Sequence, residues 1–62
     1  MKLFTWNVGV ANHATSGFAP SYEEATARIK DYVDRYKALD IEVVHYSVED
    51  PSGEILLSMD IT

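Results

Sequence analysis

The stretch FAPSYEEATARI, residues 18–29, contains the start of a helix and thereby sets the layout of the whole chain. Pro20 ends an extended segment, and Ser21 is a preferred N-cap residue whose hydroxyl can accept an N–H group of the first turn. Glu24 lies three residues later, where a glutamate side chain can bond back to the backbone of the cap, the arrangement called a capping box. We therefore expect a helix that begins directly after Ser21.

The segment that follows has the apolar spacing of a helix lying on a core. Its apolar residues recur at helical intervals and share one face: Tyr22, Ala25, Ile29, Tyr32, Val33, Tyr36 and Leu39. This pattern predicts a single amphipathic helix that extends to about Leu39.

Two extended segments precede the helix. Residues 2–11 alternate along the chain, so that four apolar residues share one side of a strand: Phe4, Trp6, Val8 and Val10. The turn-forming run NHATSG follows at residues 12–17. We expect a short return strand over residues 17–19, which would form a hairpin with the first strand.

Residues 41–49 and 54–62 predict a second hairpin after the helix, because both alternate and the DPSG run between them suits a type I turn. If Glu49 faces Glu54, three apolar pairs meet on one face: Val48 with Ile55, Tyr46 with Leu57, and Val44 with Met59. The opposite face then collects a mostly polar set: Val43, His45, Ser47, Leu56, Ser58 and Asp60.

Together these elements predict a two-layer α+β fold with the element order β-β-α-β-β. One amphipathic helix packs on one face of a mainly antiparallel sheet, and residues 1–62 form a single domain. The sheet has three strands if the short second segment stays unpaired, and four if it pairs. The strand order stays open at this point, because the first strand can lie beside the third, or the fourth can lie between them.

Charge and composition exclude several classes of function. The 62 residues include no cysteine, which excludes disulfides and thiolate metal sites, and the formal net charge is −5. Direct binding of nucleic acid is not expected, because phosphate contacts need basic side chains. No apolar run is long enough to span a membrane, and we expect a complete cytoplasmic protein. All the excess acidity lies outside the helix, where Lys2 stands against six acidic residues: Asp40, Glu42, Glu49, Asp50, Glu54 and Asp60.

His45, Ser58 and Asp60 share the polar sheet face in this register and have the residue types of a hydrolytic triad. A triad also needs an exposed nucleophile on a strained turn, an oxyanion hole and a cleft that excludes water, and a flat sheet face supplies none of these. We therefore interpret the three as a solvated or partner-facing polar group, and a small enzyme that uses His45 is the remote alternative. The histidines lack the spaced ligands that zinc requires, so no metal or cofactor is expected.

Two further groups of side chains are candidates for binding a partner. Glu49, Asp50 and Glu54 crowd the turn of the second hairpin, where carboxylates can meet a basic surface or simply keep the chain soluble. Polar-tipped aromatic rings lie at the edge of the apolar face of the helix, where they can pack on the rim of the core or anchor a partner: Tyr22, Tyr32 and Tyr36.

The run G-F-A-x-S-x-E-E-A-x-x-x-I, from Gly17 to Ile29, resembles the hairpin-into-helix segment of HicB-like antitoxin domains. The resemblance covers about a fifth of the chain, and its residues are those that a junction of strand, cap and helix selects. No functional residue is carried over from that family.

These observations predict a small non-enzymatic protein-binding module of the accessory or inhibitor type. It would dock on another protein through its polar sheet face and acidic hairpin, with the three helix tyrosines as a secondary surface. The alternative is an acidic mimic of nucleic acid, in which carboxylates replace phosphates and block a nucleic-acid-binding enzyme. We also expect homodimerisation through a strand edge or the outer sheet face, because so small a core gains from added burial.

Overall fold

A computed structural model of the chain describes residues 2–61. The elements within this range are β1 (Phe4–Val10), β2 (Ala14–Ala19), α1 (Tyr22–Ala38), β3 (Val43–Glu49) and β4 (Ile55–Asp60). The strands form one sheet in the order β2-β1-β3-β4, and every neighbouring pair is antiparallel. The predicted α+β class and element order are confirmed, with β1 beside β3 and β4 at an edge. Met1 and Thr62, the two ends of the predicted domain, lie outside the described residues.

The first hairpin is longer than the sequence predicted. β2 pairs with β1 along six positions, from Phe4 opposite Ala19 to Gly9 opposite Ala14. The Val10 N–H donates to the His13 carbonyl oxygen at 2.9 Å, so only three residues are needed to reverse the chain. The return strand therefore begins three residues before Gly17, and the sheet has four strands.

The N-terminus of α1 forms one of the two hydrogen bonds of the predicted capping box. Ser21 has an extended backbone, and its Oγ accepts a hydrogen bond from the Glu24 N–H at 3.2 Å. A full capping box also requires the Ser21 backbone N–H to donate to the Glu24 carboxylate, and that bond is not made among residues 2–61. The Ser21 side chain therefore satisfies one N–H group of the first turn, that of Glu24.

The C-terminus of α1 closes in a Schellman motif built on an aspartate. The Ile41 N–H donates to the Tyr36 carbonyl oxygen at 2.8 Å, and the Asp40 N–H donates to that of Lys37 at 3.1 Å. Asp40 adopts the left-handed conformation that this motif requires, with φ of 59°. Glycine is the usual residue here, and aspartate is among the few others that tolerate it.

The core lies between α1 and the inner face of the sheet. Val8 and Val48, on the two central strands, are its most deeply buried large side chains, and Ala25 and Ile29 meet them from the helix. β1 supplies Trp6, Val8 and Val10 to this cluster, with Phe4 partly buried at its edge. The prediction that these four residues face the helix is confirmed.

The register of the second hairpin differs from the predicted one by two residues. Val48 pairs with Leu57 rather than Ile55, and Tyr46 pairs with Met59. The reason lies at the turn, where Gly53 has a φ of 92° and the ladder is irregular between Val48 and Glu49. The turn closes one residue later than predicted, with the Asp50 N–H donating to the Glu54 carbonyl oxygen at 2.8 Å, and the bulge adds a second residue to β4. Because side chains alternate with a period of two, Leu57 and Met59 still face the helix side after this shift. Ile55, however, now lies opposite Glu49 and is exposed.

A second bulge exchanges the positions of Val43 and Val44. Gly9 pairs with His45 and Val10 pairs with Val43, so Val44 is the extra residue of β3. Val43 thereby joins Val10 in the core and is 8% exposed, whereas the sequence placed it on the outer face. Val44, predicted to meet Met59 on the inner face, instead accepts a hydrogen bond from the Ile61 N–H at 2.9 Å.

The helix covers three of the four strands. It lies over β1, β3 and β2, and over the described range no Cα atom of α1 comes within 8 Å of one in β4. A helix is about 10–12 Å wide, whereas four strands spaced about 4.8 Å apart are wider than that once their own side chains are included. One helix is therefore too narrow for this sheet, and the inner side of β4 is left largely exposed.

Candidate functional site

The side of the sheet opposite α1, which we call the outer face, carries no covering layer from residues 2–61. Because Trp6 and Val8 point to the helix, the alternate residues of β1 and their cross-strand partners lie on this face. They form three rows across the strands in the order β2-β1-β3-β4: Phe18, Thr5, Glu49 and Ile55; Ser16, Asn7, Ser47 and Ser58; Ala14, Gly9, His45 and Asp60.

The central row of the outer face is made of small polar side chains. Ser16, Asn7, Ser47 and Ser58 follow one another across all four strands. The Asn7 side-chain oxygen is buried and has no hydrogen-bond partner in the part of the chain that the structure describes. Leaving a buried acceptor unpaired costs about 1–3 kcal/mol, so the Asn7 oxygen is available to a donor that approaches this face.

At one end of the outer face, His45 and Asp60 form a direct pair. They are opposite each other in the β3–β4 ladder, and His45 Nδ1 lies 2.7 Å from Asp60 Oδ1. Ser58 shares their face, but no hydrogen bond joins it to His45 within the described residues, since it lies one row away. The predicted trio is therefore a histidine–aspartate pair with a neighbouring serine, on the uncovered face of the sheet.

At the other end, the acidic hairpin turn is organised by Asp50. Its Oδ1 accepts hydrogen bonds from the Ser52 hydroxyl, the Ser52 N–H at 2.8 Å and the Glu54 N–H at 3.0 Å. The Gly53 N–H also donates to the Asp50 carbonyl oxygen at 3.0 Å, the i→i+3 hydrogen bond of a β-turn over the four predicted residues. The Ser52 hydroxyl, with the Glu54 and Ser52 backbone N–H groups, holds the pKa of Asp50 below its usual value. Asp50 thus maintains the turn, while Glu49 and Glu54 are exposed carboxylates.

The three helix tyrosines lie in the other layer and are not brought together with the outer face. Tyr32 packs beside Trp6 with ring centroids 5.2 Å apart, and the Arg35 guanidinium lies 5.3 Å from its ring centre. The Tyr36 hydroxyl is 3.2 Å from Thr15 Oγ1, which ties α1 to β2. Tyr32 and Tyr36 therefore hold the helix on the sheet, and Tyr22 is exposed at the start of α1.

An apolar groove of about 270 Å³, which the sequence interpretation missed, runs between α1 and the β3–β4 hairpin. It exists because α1 does not reach β4. The width of one helix against four strands was a signal that could have predicted it from the sequence. Its lining comes from both layers: Thr26, Ile29, Lys30, Val33, Tyr46 and Leu57.

The sequence interpretation also missed half of the outer face. Thr5, Asn7, Ser16 and Phe18 lie there because β1 pairs with both β2 and β3. With the strand order open, only the β3–β4 part of the face could be assembled. The alternation of residues 2–11 did place Thr5 and Asn7 opposite the core, and that was the available signal.

The geometry bears on two further classes of site, a metal centre and a membrane-spanning helix. Across residues 2–61, no group of three or more histidine, cysteine or acidic side chains is arranged to hold a metal ion. In the same range, no helix is both long enough and apolar enough to cross a membrane.

Comparison with known proteins adds no functional assignment. No protein-family model matches the chain, and neither a curated protein nor a solved structure is significantly similar to it.

Proposed function

We propose that this chain is a non-enzymatic protein-binding module that docks on another protein through its outer face and its acidic β3–β4 turn. The observation that carries the proposal is the row Phe18–Thr5–Glu49–Ile55, which has an exposed large apolar side chain at each end. Phe18 is 69% exposed and Ile55 is 60% exposed.

The shape of the outer face supports the proposal. Three strand spacings separate Phe18 from Ile55, or about 14 Å, and the side chains of the central row are small enough for a partner to approach the sheet closely. Protein interfaces commonly combine a few apolar anchors with polar groups that a partner can satisfy. The Asn7 side-chain oxygen, which has no partner among residues 2–61, is an acceptor on this face that a docked protein can satisfy.

Charge indicates the chemistry of the partner. The net charge of −5 comes entirely from residues outside α1. Glu49 is exposed within the Phe18–Ile55 row, and Glu54 is exposed next to Ile55. A partner with basic side chains around an apolar patch would complement this surface and would associate faster at low salt. We keep the cytoplasm as the proposed compartment.

The test is capture of a binding partner from a lysate of the source organism, with variants that separate the two layers. Phe18→Ser and Ile55→Ser should abolish capture of the protein retained by the unmodified chain, because they remove the apolar anchors. Leu39→Ser is the matched control, since Leu39 is 65% exposed but lies at the end of α1. Equal capture by all three variants would contradict docking through the outer face.

Salt dependence distinguishes this proposal from the alternative, a mimic of nucleic acid. A mimic relies on carboxylates, so its binding should weaken steeply with salt, be displaced by nucleic acid, and disappear in a Glu49→Lys, Glu54→Lys variant. Docking through apolar anchors should survive that variant with reduced affinity. A hydrolytic activity that is lost in His45→Ala would instead favour the enzyme hypothesis.

A further inference from the structure

β4 is an edge strand with a defined set of free backbone groups. The Ile61 N–H donates to the Val44 carbonyl oxygen of β3 at 2.9 Å. Because backbone groups alternate in direction along a strand, the N–H and C=O of Leu57 and Met59 also point towards β3. Those of Ser58 and Asp60 point away from the sheet, where they can pair with another strand.

This edge carries few of the features that usually prevent strand pairing, because its irregular position beside Ile55 and its one charged residue, Asp60, lie at opposite ends of the strand. β4 has the sequence ILLSMD, without lysine, proline or glycine. Apolar side chains along β4 and just after it are exposed: Leu56 is 43%, Met59 45% and Ile61 49% exposed. The opposite edge differs, because the Tyr36–Thr15 contact and the Trp6 ring over Gly17 close the inner side of β2.

We propose that a second copy of this chain pairs with β4, antiparallel, about a two-fold axis through Met59. Such a two-fold is the symmetry of most homodimers, and it joins the two sheets into one of eight strands. Ser58 of each chain then forms a hydrogen-bonded pair with Asp60 of the other. Four backbone hydrogen bonds result, all from groups that point away from β3. Met59 meets Met59 of the second copy on the inner side.

The side chains fit this register. On the inner side, Leu57 of each chain lies opposite Ile61 of the other, so apolar groups meet apolar groups. On the outer side, Asp60 lies opposite Ser58, a hydroxyl donor, and not opposite a second carboxylate. An axis through Leu57 would instead set Glu54 against Asp60 at both ends, which like-charge repulsion disfavours. The register about Met59 also avoids the irregular part of the ladder beside Ile55.

The same pairing reaches the open side of the groove. Leu57 is one wall of the groove between α1 and the β3–β4 hairpin. Ile61 of the second copy would lie next to Leu57, at the side that α1 leaves uncovered. Strand pairing and coverage of exposed apolar surface therefore occur together.

The area is that of a weak dimer. A six-residue strand is about 20 Å long, and a sheet edge about 10 Å thick, so the edge contact is on the order of 200 Å² per chain before the inner side chains are counted. We expect dimers at high micromolar concentration rather than a permanent assembly.

This dimer is independent of the proposed docking surface. It uses the edge and inner side of β4, whereas the proposed partner binds the outer face, which stays free and is presented twice. Failure of one proposal leaves the other standing.

The experiment measures molar mass by sedimentation equilibrium over a concentration series from about 5 to about 500 µM. The unmodified chain should pass from monomer to dimer, and amide exchange at Ser58 and Asp60 should slow as concentration rises. The S58P variant removes an N–H that β3 does not use, and proline is tolerated at such edge positions. It should stay folded and raise the dissociation constant at least tenfold. Ser58→Ala, which keeps the N–H, is the matched control and should dimerise.

A second variant keeps the test sharp if S58P does not fold. Met59→Lys places two like charges at the axis and should also abolish the dimer. A monomer at every concentration would overturn the proposal. So would a dimer that survives Met59→Lys, or one whose concentration-dependent amide protection lies on β2 instead of on Ser58 and Asp60.

Discussion

The indole of Trp6 lies directly over Gly17 of the neighbouring strand. The two residues are opposite each other in the β1–β2 ladder, and a Cβ placed on Gly17 would be 2.7 Å from the Trp6 Cζ2. Because Gly17 has no side chain, the Trp6 indole can lie against β2 at this position. Tyr32 then packs on the ring from the helix, at 5.2 Å between centroids.

The first prediction follows from this contact. Gly17→Ala forces the indole to shift, and overpacking of this kind costs about 1–3 kcal/mol of unfolding free energy. Gly9→Ala is the matched control, because its added Cβ meets only His45 atoms at 3.8 Å, an ordinary contact. Urea denaturation of both variants would check this. Equal stability of the two would contradict the placement of the ring.

The second prediction concerns the left-handed aspartate that ends α1. Asp40→Gly removes the strain at a φ of 59° and also removes a negative charge from the C-terminus of the helix, where the macrodipole disfavours it. We expect the variant to be more stable by about 0.5–1 kcal/mol in thermal or chemical unfolding. Asp31→Gly, the same change inside the helix, should instead destabilise by a few tenths of a kcal/mol. Destabilisation in both variants would argue against the Schellman closure.

The third prediction is a local dependence on acid at the β3–β4 turn. The hydrogen bond from the Ser52 hydroxyl leads the causes that lower the pKa of Asp50 beneath its ordinary value of 3.8. A depressed pKa in the folded state means that the stabilisation is complete above the unfolded value and is lost as the pH falls through the folded one. Amide exchange at Ser52 and Glu54 should therefore accelerate, relative to the intrinsic rate, only below about pH 4. In Asp50→Asn, which cannot ionise, this change with pH should be absent.

The fourth prediction assigns Tyr36 to the fold. Its hydroxyl lies 3.2 Å from Thr15 Oγ1, so Tyr36→Phe should cost about 0.5–1.5 kcal/mol of unfolding free energy. A double-mutant cycle with Thr15→Val should recover most of this as coupling between the two sites. Tyr32→Phe is the control, because the Tyr32 hydroxyl has no hydrogen-bond partner among the residues described. Additive effects of Tyr36→Phe and Thr15→Val would show that the contact does not stabilise the chain.

Local chemistry made much of the fold predictable. The Ser21 cap, the stripe from Ala25 to Tyr36 and the alternation of β1 each act over a few residues, and all three led to the correct element. The same is true of the Asp50 turn. These features require no knowledge of which strands lie side by side.

The errors arose at the bulges, where one added residue changes the cross-strand partners of all the residues that follow it in the strand. A bulge is a property of two paired strands, so neither the extra residue in β3 nor the one in β4 could be seen in one segment alone. The candidate site suffered in the same way. In its β3–β4 half, His45, Ser58 and Asp60 do share one face, but the predicted register set His45 opposite Ser58 instead of Asp60. Phe18 enters the face only once β1 is known to pair with both neighbours.

The fifth prediction tests the bulge in β3. Because the extra residue at Val44 turns Val43 into the core, Val43→Thr buries a hydroxyl beside Val10 and should cost about 1–3 kcal/mol of unfolding free energy. Val44→Thr makes the same chemical change one residue away, outside the core cluster, and should cost less than about 1 kcal/mol. Chemical denaturation of the pair measures the difference directly. A larger loss at Val44 than at Val43 would restore the unbulged register, in which Val43 belongs to the outer face beside His45 and the inner wall of β3 consists of Val44, Tyr46 and Val48.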